Sequence, residues 1–368
     1  AVRIFHSKPA DLEQAADHFF SNLRRRDGGR QSLQRISGCL HGLLTRMPGS
    51  DVTAAMSITG KNDPLGGVPI HYTANEIERL KELYRCACFE LANARPPEER
   101  DVKENSSDST DPVKAKYYVG SRFVPKEKVV TKLVIDLQER IEKAREVYRD
   151  NGDPVRLHND LTVYTTMMLG FATGYRAVRD PLLQEAEIDR ITGFGLISDK
   201  DGDDYYNARI IWLPEICLRQ LDYYQSHVKH LQKWLFERNQ DLFFKVRRQE
   251  VTGRYAVREY PALFLLQRNA DDLSVHPKLL QELLQTLDYQ LPMNANRHYL
   301  RTNLIGDNCP VEVVDAFLGH WERGQEPWGR YSGLSPAVYR EKLALHLIPL
   351  LERNGWCPEE GLNCCGKV

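Results

Sequence analysis

The sequence predicts a mainly α-helical protein with a small β-sheet, divided into two domains. Three observations carry this reading. Several long stretches repeat apolar residues at helical spacing. One strand–turn–strand pattern, Ile191 to Ser198 and Tyr205 to Leu213, is rich in Ile, Tyr and Trp and flanks Lys200-Asp201-Gly202-Asp203. The stretch from Pro96 through Ser109 is polar, with hardly an apolar residue to bury, and reads as a linker. At 368 residues the chain exceeds the ~250 to 300 at which a single core usually stops growing. The expected division is 1–95 as a helical domain, 96–124 as linker and 125–368 as the second domain. An alternative boundary lies near Gly66-Gly67, because Tyr72-Thr73-Ala74-Asn75-Glu76 could also open the second domain.

Asp11 to Arg26 and Gln31 to Arg46 read as two helices, separated by Gly28-Gly29 and ended by Pro48-Gly49. Thr73 to Ala94 reads as a third, with Thr73 as N-cap, Glu76 closing a capping box and Leu80, Leu83 and Leu91 on one stripe. Beyond the linker, Val129 to Asp150 is a charged amphipathic helix. Asp160 to Gly170 is far more apolar and delivers Arg176 on its C-terminal side. From Pro214 to Leu351 the pattern is mostly helical, broken near Gly253, Asn269-Ala270-Asp271 and Pro292, with room for an inserted hairpin or helix. Glu341 to Trp356 is an apolar-faced helix, through Leu343, Leu345, Leu347, Ile348, Leu350 and Leu351. It reads either as a core helix or as one that docks on another copy of the chain. There is no internal repeat.

Hydrophobic content of 42% and charged content of 27% are those of an ordinary globular protein. A net charge of −1 gives no overall basic excess, so any nucleic-acid surface must be local. The candidate clusters are Arg24-Arg25-Arg26 with Arg30 and Arg35, and Lys245 with Arg247-Arg248. A solvated helix face is the competing reading of each. There is no bilayer-spanning apolar run, signal-peptide pattern or lipidation motif, so a soluble, cytoplasmic, membrane-free protein is expected. The eight cysteines (Cys39, Cys86, Cys88, Cys217, Cys309, Cys357, Cys364, Cys365) lack disulfide-scaffold spacing, which points to a reducing compartment. A zinc site at Cys357, Cys364 and Cys365 has no CxxC or HxxxH to support it. The first residue is Ala1 rather than Met, so a trimmed N-terminus is expected.

The chemistry lies in an ordered set: Arg176 in Ala172-Thr173-Gly174-Tyr175-Arg176, Lys200 in the hairpin turn, a His298-x-x-Arg301 pair, His320 in Leu318-Gly319-His320, and Tyr331 eleven residues later. Cleaving a phosphodiester by transesterification needs a nucleophile, charge to stabilise a pentacoordinate phosphorane, and an acid for the departing oxygen. A tyrosine keeps the bond energy as a phosphotyrosyl ester. Arginine forks match phosphate oxygens and stay protonated, so Arg176 and Arg301 can supply the charge without a metal. Lys200 suits the general acid. His298 and His320, titrating near neutrality, suit exchange with the phenol and a non-bridging oxygen. Each residue alone is better read as structural, and Tyr339 is a rival phenol, but the joint order is specific.

Arg176 to Tyr331 resembles the catalytic domain of the tyrosine recombinases, the phage-integrase and Xer-like family. The matching residues are Thr173-Gly174-Tyr175-Arg176, Glu187-Ile188-Asp189, Lys200, Leu213-Pro214, His298-Tyr299-Leu300-Arg301, Leu318-Gly319-His320-Trp321 and Tyr331. The chain departs from the family's pattern at Arg179, where an acidic residue is usual, and in a His320 to Tyr331 gap two residues longer than the commonest. The resemblance implies a two-domain DNA clamp, with a helical core-binding domain and a catalytic domain ending in an exchange helix. It implies a phosphate pocket of Arg176, Lys200, His298, Arg301 and His320, with Tyr331 as nucleophile and no cofactor. It also implies double-stranded DNA carrying a specific recombination site as partner, a homo-tetramer on DNA that is a monomer or weak oligomer when free, and a nucleoid-associated location. The competing functions are a type IB topoisomerase or telomere resolvase, and a DNA-binding accessory protein without activity.

Overall fold

The computed structural model describes residues 9–28, 32–92, 117–176, 188–198, 208–251, 263–267, 271–292, 294–321, 326–330 and 332–362. The chain forms two compact units, one of Ala1–Ile70 with Asn75–Gly120, the other of His71–Ala74 with Ser121–Val368. It is mainly helical with small two-stranded sheets. Among the described residues no helix is long and apolar enough to cross a membrane.

The first unit contains α1 (Pro9–Asp27), α2 (Leu33–Leu44), α3 (Val52–Thr59) and α5 (Ile77–Leu91), and α4 (Pro69–Tyr72) lies where the chain leaves it. Its core is small: Leu44, Ala55 and Ala87 are fully buried, with Leu40, Leu43, Met47, Ile58 and Leu83 packed around them. Two side-chain caps fix the entries of its helices, Ser32 accepting from the Arg35 N–H and Asp51 from the Ala54 N–H. The expected start of the third helix is wrong. Residues Ala74–Glu76 form β1, which pairs with β2 (Tyr118–Gly120), and α5 begins at Ile77 with no side-chain cap. Thr73 does not cap it, since Glu76 stands in the cap position, and the Thr73 hydroxyl instead accepts a hydrogen bond from Arg301 Nε at 2.9 Å.

The second unit is built on α7 (Val155–Thr173), one turn longer at its N-terminus than its apolar run suggested and buried along nearly its whole length. α6 (Glu127–Asn151) lays Val130, Leu133, Val134, Leu137, Ile141 and Ala144 on it, the spacing of a single helical face. α8 (Glu215–Arg238), α11 (Ala295–Gly306) and α13 (Pro336–Arg353) also pack on α7. α9 (Gln240–Val251), α10 (Pro277–Gln285) and α12 (Val311–Leu318) complete the helices. β3 (Phe194–Ser198) and β4 (Ala208–Trp212) form an antiparallel hairpin with Phe194 opposite Trp212 and Ser198 opposite Ala208. A further hairpin, β5 (Phe264–Leu266) with β6 (Asp272–Ser274), stands inside the stretch that read as mostly helical. Phe264, Leu265 and Leu266 are all buried, so this strand lacks the alternation that marks a half-exposed one.

α13 settles what its apolar face touches. Leu343, Leu347, Leu350 and Leu351 are at most 1% exposed and belong to the unit's own core, and Leu345 is the outward-facing leucine at 60%. The face expected to dock on a second copy is therefore occupied within the chain.

A buried imidazole pair ties the C-terminal segment to α7. His158 Nε2 lies 2.9 Å from the Phe264 carbonyl and must donate to it. Its Nδ1 then accepts from His227 Nε2 at 3.1 Å, and His227 Nδ1 accepts from the Leu362 N–H at 2.9 Å. Each ring is satisfied only when neutral. Burial pushes His158 down to about 3 and His227 well below its ordinary value. Because the folded pKa is depressed, the unfolded chain binds protons that the folded chain refuses, and stability falls as pH drops from about 6.5 toward 3. His158 alone accounts for on the order of 4 kcal/mol across that window. Urea denaturation followed by tryptophan fluorescence should show the midpoint falling between pH 6.5 and 4.5; a midpoint flat over that interval would contradict the network.

Candidate active site

The site forms where α7, α11 and α12 end or pass beside the β3–β4 hairpin. α7 stops at Gly174, which adopts φ +61°, and a Cβ there would lie 2.6 Å from Leu318 Cδ2. α12 stops in the same way at Gly319, with φ +66° and Arg209 Cδ 3.0 Å from the position of a Cβ. Glycine is needed at both, for the left-handed turn and for the close approach. Arg176 follows the first turn and His320 the second.

Two buried arginines that the sequence reading did not single out hold these helix ends together. Arg209 on β4, 1% exposed, donates to the carbonyls of Thr173 at 3.0 Å, Gly174 at 3.2 Å and Phe317. Arg297 on α11, also 1% exposed, donates to the carbonyls of Gly174 at 3.1 Å and Leu318. Guanidinium donors therefore serve carbonyls at the ends of α7 and α12 that have no partner within their own helices.

α11 presents His298 and Arg301 on its inner face. Arg301 is fully buried, and its side-chain contacts include Nε to Thr73 Oγ1 at 2.9 Å, Nη1 to Asp315 Oδ1 at 2.6 Å, and Nη1 to His320 Nδ1 at 3.2 Å. His320 Nδ1 accepts from the arginine, so its proton sits on Nε2. That nitrogen is buried and has no hydrogen-bond partner among the described residues. Burial first, and then the charges of Arg297, Arg301, Arg176 and Arg209, hold His320 well below its usual range. His298 Nδ1 lies 2.9 Å from Ser121 Oγ, which itself accepts the Phe123 N–H. Burial, and then Arg297, push His298 down to about 4, while a hydrogen bond to the His71 backbone pulls the other way. Both imidazoles are thus neutral at pH 7, and the expectation that they titrate near neutrality is corrected.

Between them sits Tyr72, which sequence reasoning missed as a site residue. Its ring centroid is 4.6 Å from that of His298 and 4.9 Å from that of His320, with Arg176 and Arg297 at 5.6 and 5.4 Å. Nothing in a lone tyrosine marked it. In sequence it stands only at the alternative opening of the second domain, which carries no sign of this contact.

Of the expected residues, the structure brings Arg176, His298, Arg301 and His320 together; Lys200 and Tyr331 lie outside the described residues. Trp328, three residues before Tyr331, packs edge-on against Tyr339 at 5.2 Å. Tyr339 is fully buried, its hydroxyl donates to the Ile210 carbonyl, and burial pushes its pKa up, so it has no access to a substrate. Arg24, Arg25 and Arg26 are exposed in the last turn of α1, where cations suit the helix dipole, and Arg35 is exposed on α2. Arg247 is exposed on α9 beside Phe243; the side chains of Lys245 and Arg248, and Arg30 as a whole, lie outside the described residues. Among the described residues no group of His, Cys, Asp and Glu is arranged to hold a metal ion.

No family model, no curated protein and no solved structure matches the chain.

Replacing Arg209 with Met would keep its bulk and remove its donors from the carbonyls of Thr173, Gly174 and Phe317. The expected cost is roughly 2–4 kcal/mol, several buried carbonyls losing a charged donor at once. Chemical denaturation measures it, and a loss below about 0.5 kcal/mol, the scale of an ordinary surface change, would contradict the clamp.

Proposed function

We propose that the chain is a site-specific DNA recombinase that cleaves and rejoins strands through a 3′-phosphotyrosyl intermediate. The observation that carries the reading is the convergence of Arg176, His298 and His320 on one ring, with Arg301 bonded to His320 and a buried His320 Nε2–H directed at no acceptor among the described residues. Once DNA binding uncovers this nitrogen, a non-bridging phosphate oxygen is the acceptor that such a donor beside guanidiniums suits best.

In this reading the Tyr331 oxygen attacks phosphorus, the bond to the 5′-oxygen breaks, and Lys200 gives that oxygen its proton. The reverse step uses the 5′-hydroxyl of a partner strand and frees the tyrosine. Arg176, half-buried, faces the phosphate, and Arg301 behind it holds His320 and adds charge. His298 takes the phenol proton in this reading, opening its hydrogen bond to Ser121 or to the His71 backbone to do so. Duplex DNA with a specific site is the proposed partner, a tetramer the proposed assembly on it, and the cytoplasmic nucleoid the proposed location. Basic surface on α1, α2 and α9 is offered for the DNA backbone.

One observation favours a second reading, strand relaxation of the type IB topoisomerase kind. The helix that spoke for exchange between copies has its apolar face in its own core. Relaxation of a supercoiled plasmid lacking any special site would support it over recombination.

A nicked suicide duplex carrying the cognate site should trap a covalent adduct, and Tyr331→Phe should abolish it. Arg176→Ala should slow cleavage about 10²- to 10³-fold, the loss seen when one preorganised donor is removed. Absence of adduct with a duplex that the protein binds specifically would leave only a DNA-binding role. Affinity for the duplex should fall steeply with salt, through counterion release, and a flat response would speak against a DNA substrate.

A further inference from the structure

We propose that Tyr72 is a positioning residue for this site, an aromatic platform that seats His298 and His320 and carries Arg176 and Arg297 on the same ring. Its role as a platform rests on the contacts alone, whereas its consequence for catalysis rests on the phosphodiester reading.

Four side chains meet the one ring. His298 is tilted against it by 36° and His320 lies nearly parallel at 28°, so a face of each imidazole is turned to carbon. The guanidinium carbons of Arg176 and Arg297 lie 5.6 and 5.4 Å from the centroid, within the range over which a cation is drawn to an aromatic face. The backbone on either side of the ring is fixed to α11. Thr302 Oγ1 donates to the Tyr72 carbonyl at 3.4 Å and accepts from the Ala74 N–H at 3.0 Å. Thr73 takes Arg301 Nε on its hydroxyl and the Ser121 N–H on its carbonyl at 2.8 Å. Residues 301 and 302 lie three and four positions after 298 on one helix, so the platform hangs from the face that carries the site.

Three consequences follow from this packing. The ring removes water from both imidazoles, and burial is the leading cause of the low values of both. It leaves each ring little freedom to turn, which keeps the His320 Nε2–H aimed in one direction. It also holds Arg176, the first described residue beyond the α7 turn to face this cluster, against the histidine pair. The charged and titratable groups facing the two rings are Arg297, His71 and Ser121 at His298, and Arg176, Arg209, Arg297 and Arg301 at His320, with Asp315 reaching it through Arg301. None of these is removed by a change at Tyr72, so the effect of the ring itself can be read.

The test compares Tyr72→Phe and Tyr72→Leu in the full chain by NMR titration of the imidazole carbons without DNA, and by single-turnover cleavage of the suicide duplex across pH. The Phe variant should titrate and cleave like the wild type. In the Leu variant the His298 midpoint should rise from about 4 by a unit or more toward the ordinary 6.5. Cleavage should fall about 100-fold, with its acid limb following the titration. A change that only loosened the fold would lower the melting temperature and leave the midpoint in place, and that result would overturn the proposal. Faster cleavage by the Leu variant would also overturn it, because Tyr72 would then be a cover rather than a platform. Should the Leu variant fail to fold, the wild type decides: ring-proton NOEs from Tyr72 to both His298 and His320 are expected, and their absence overturns the seating. A wild type that forms no adduct while its Leu variant titrates as expected would sink the phosphodiester reading and leave the platform standing.

Discussion

The Arg301 guanidinium is the interaction on which the rest of the site depends. It is fully buried, and a charge taken out of water is tolerated only where its donors are met. Here they are met from three directions: Thr73 from far upstream in the chain, Asp315 on α12, and His320 just beyond that helix. One side chain thereby fixes α11, α12 and the 71–74 segment relative to each other. The bond to His320 also decides the tautomer, and so decides which ring nitrogen is left to meet a ligand. Truncating Arg301 would leave the partly buried Asp315 carboxylate without this partner, so the group shapes the fold as much as any chemistry.

Around that centre the architecture repeats one device, a buried arginine serving backbone carbonyls at a helix end. Arg209 and Arg297 do this for α7 and α12, which stop at glycines in the left-handed conformation and then hand the chain to Arg176 and His320. The positive charge that stabilises the scaffold therefore adds to burial, the leading cause, in keeping both imidazoles neutral. Structure and electrostatics cannot be separated here, because each guanidinium that closes a helix also lowers the affinity of His320 for a proton.

Much of the fold was legible where local pattern and tertiary setting agree. The amphipathic stripe of α6, the apolar run of α7 and the β3–β4 hairpin stand close to where periodicity put them. Failures came where a distant partner overrode a local signal. Thr73 has the look of an N-cap, yet Arg301, over two hundred residues away in sequence, takes its hydroxyl. Phe264, Leu265 and Leu266 form a strand buried on both faces, whose unbroken apolar run carries no period. Arg176, His298, Arg301 and His320 could be named from motif order because each sits in a distinctive local sequence. Tyr72, Arg209 and Arg297 could not, since their roles arise only from packing between elements.

The central claim is that these cations gather on one phosphodiester beside the Tyr331 phenol. Digesting the trapped protein–DNA adduct with trypsin and fragmenting the DNA-bearing peptide by mass spectrometry tests it most directly. The expected peptide spans residues 331–340, with the nucleotide mass on Tyr331 rather than on the buried Tyr339. A nucleotide found on any other side chain would contradict the account.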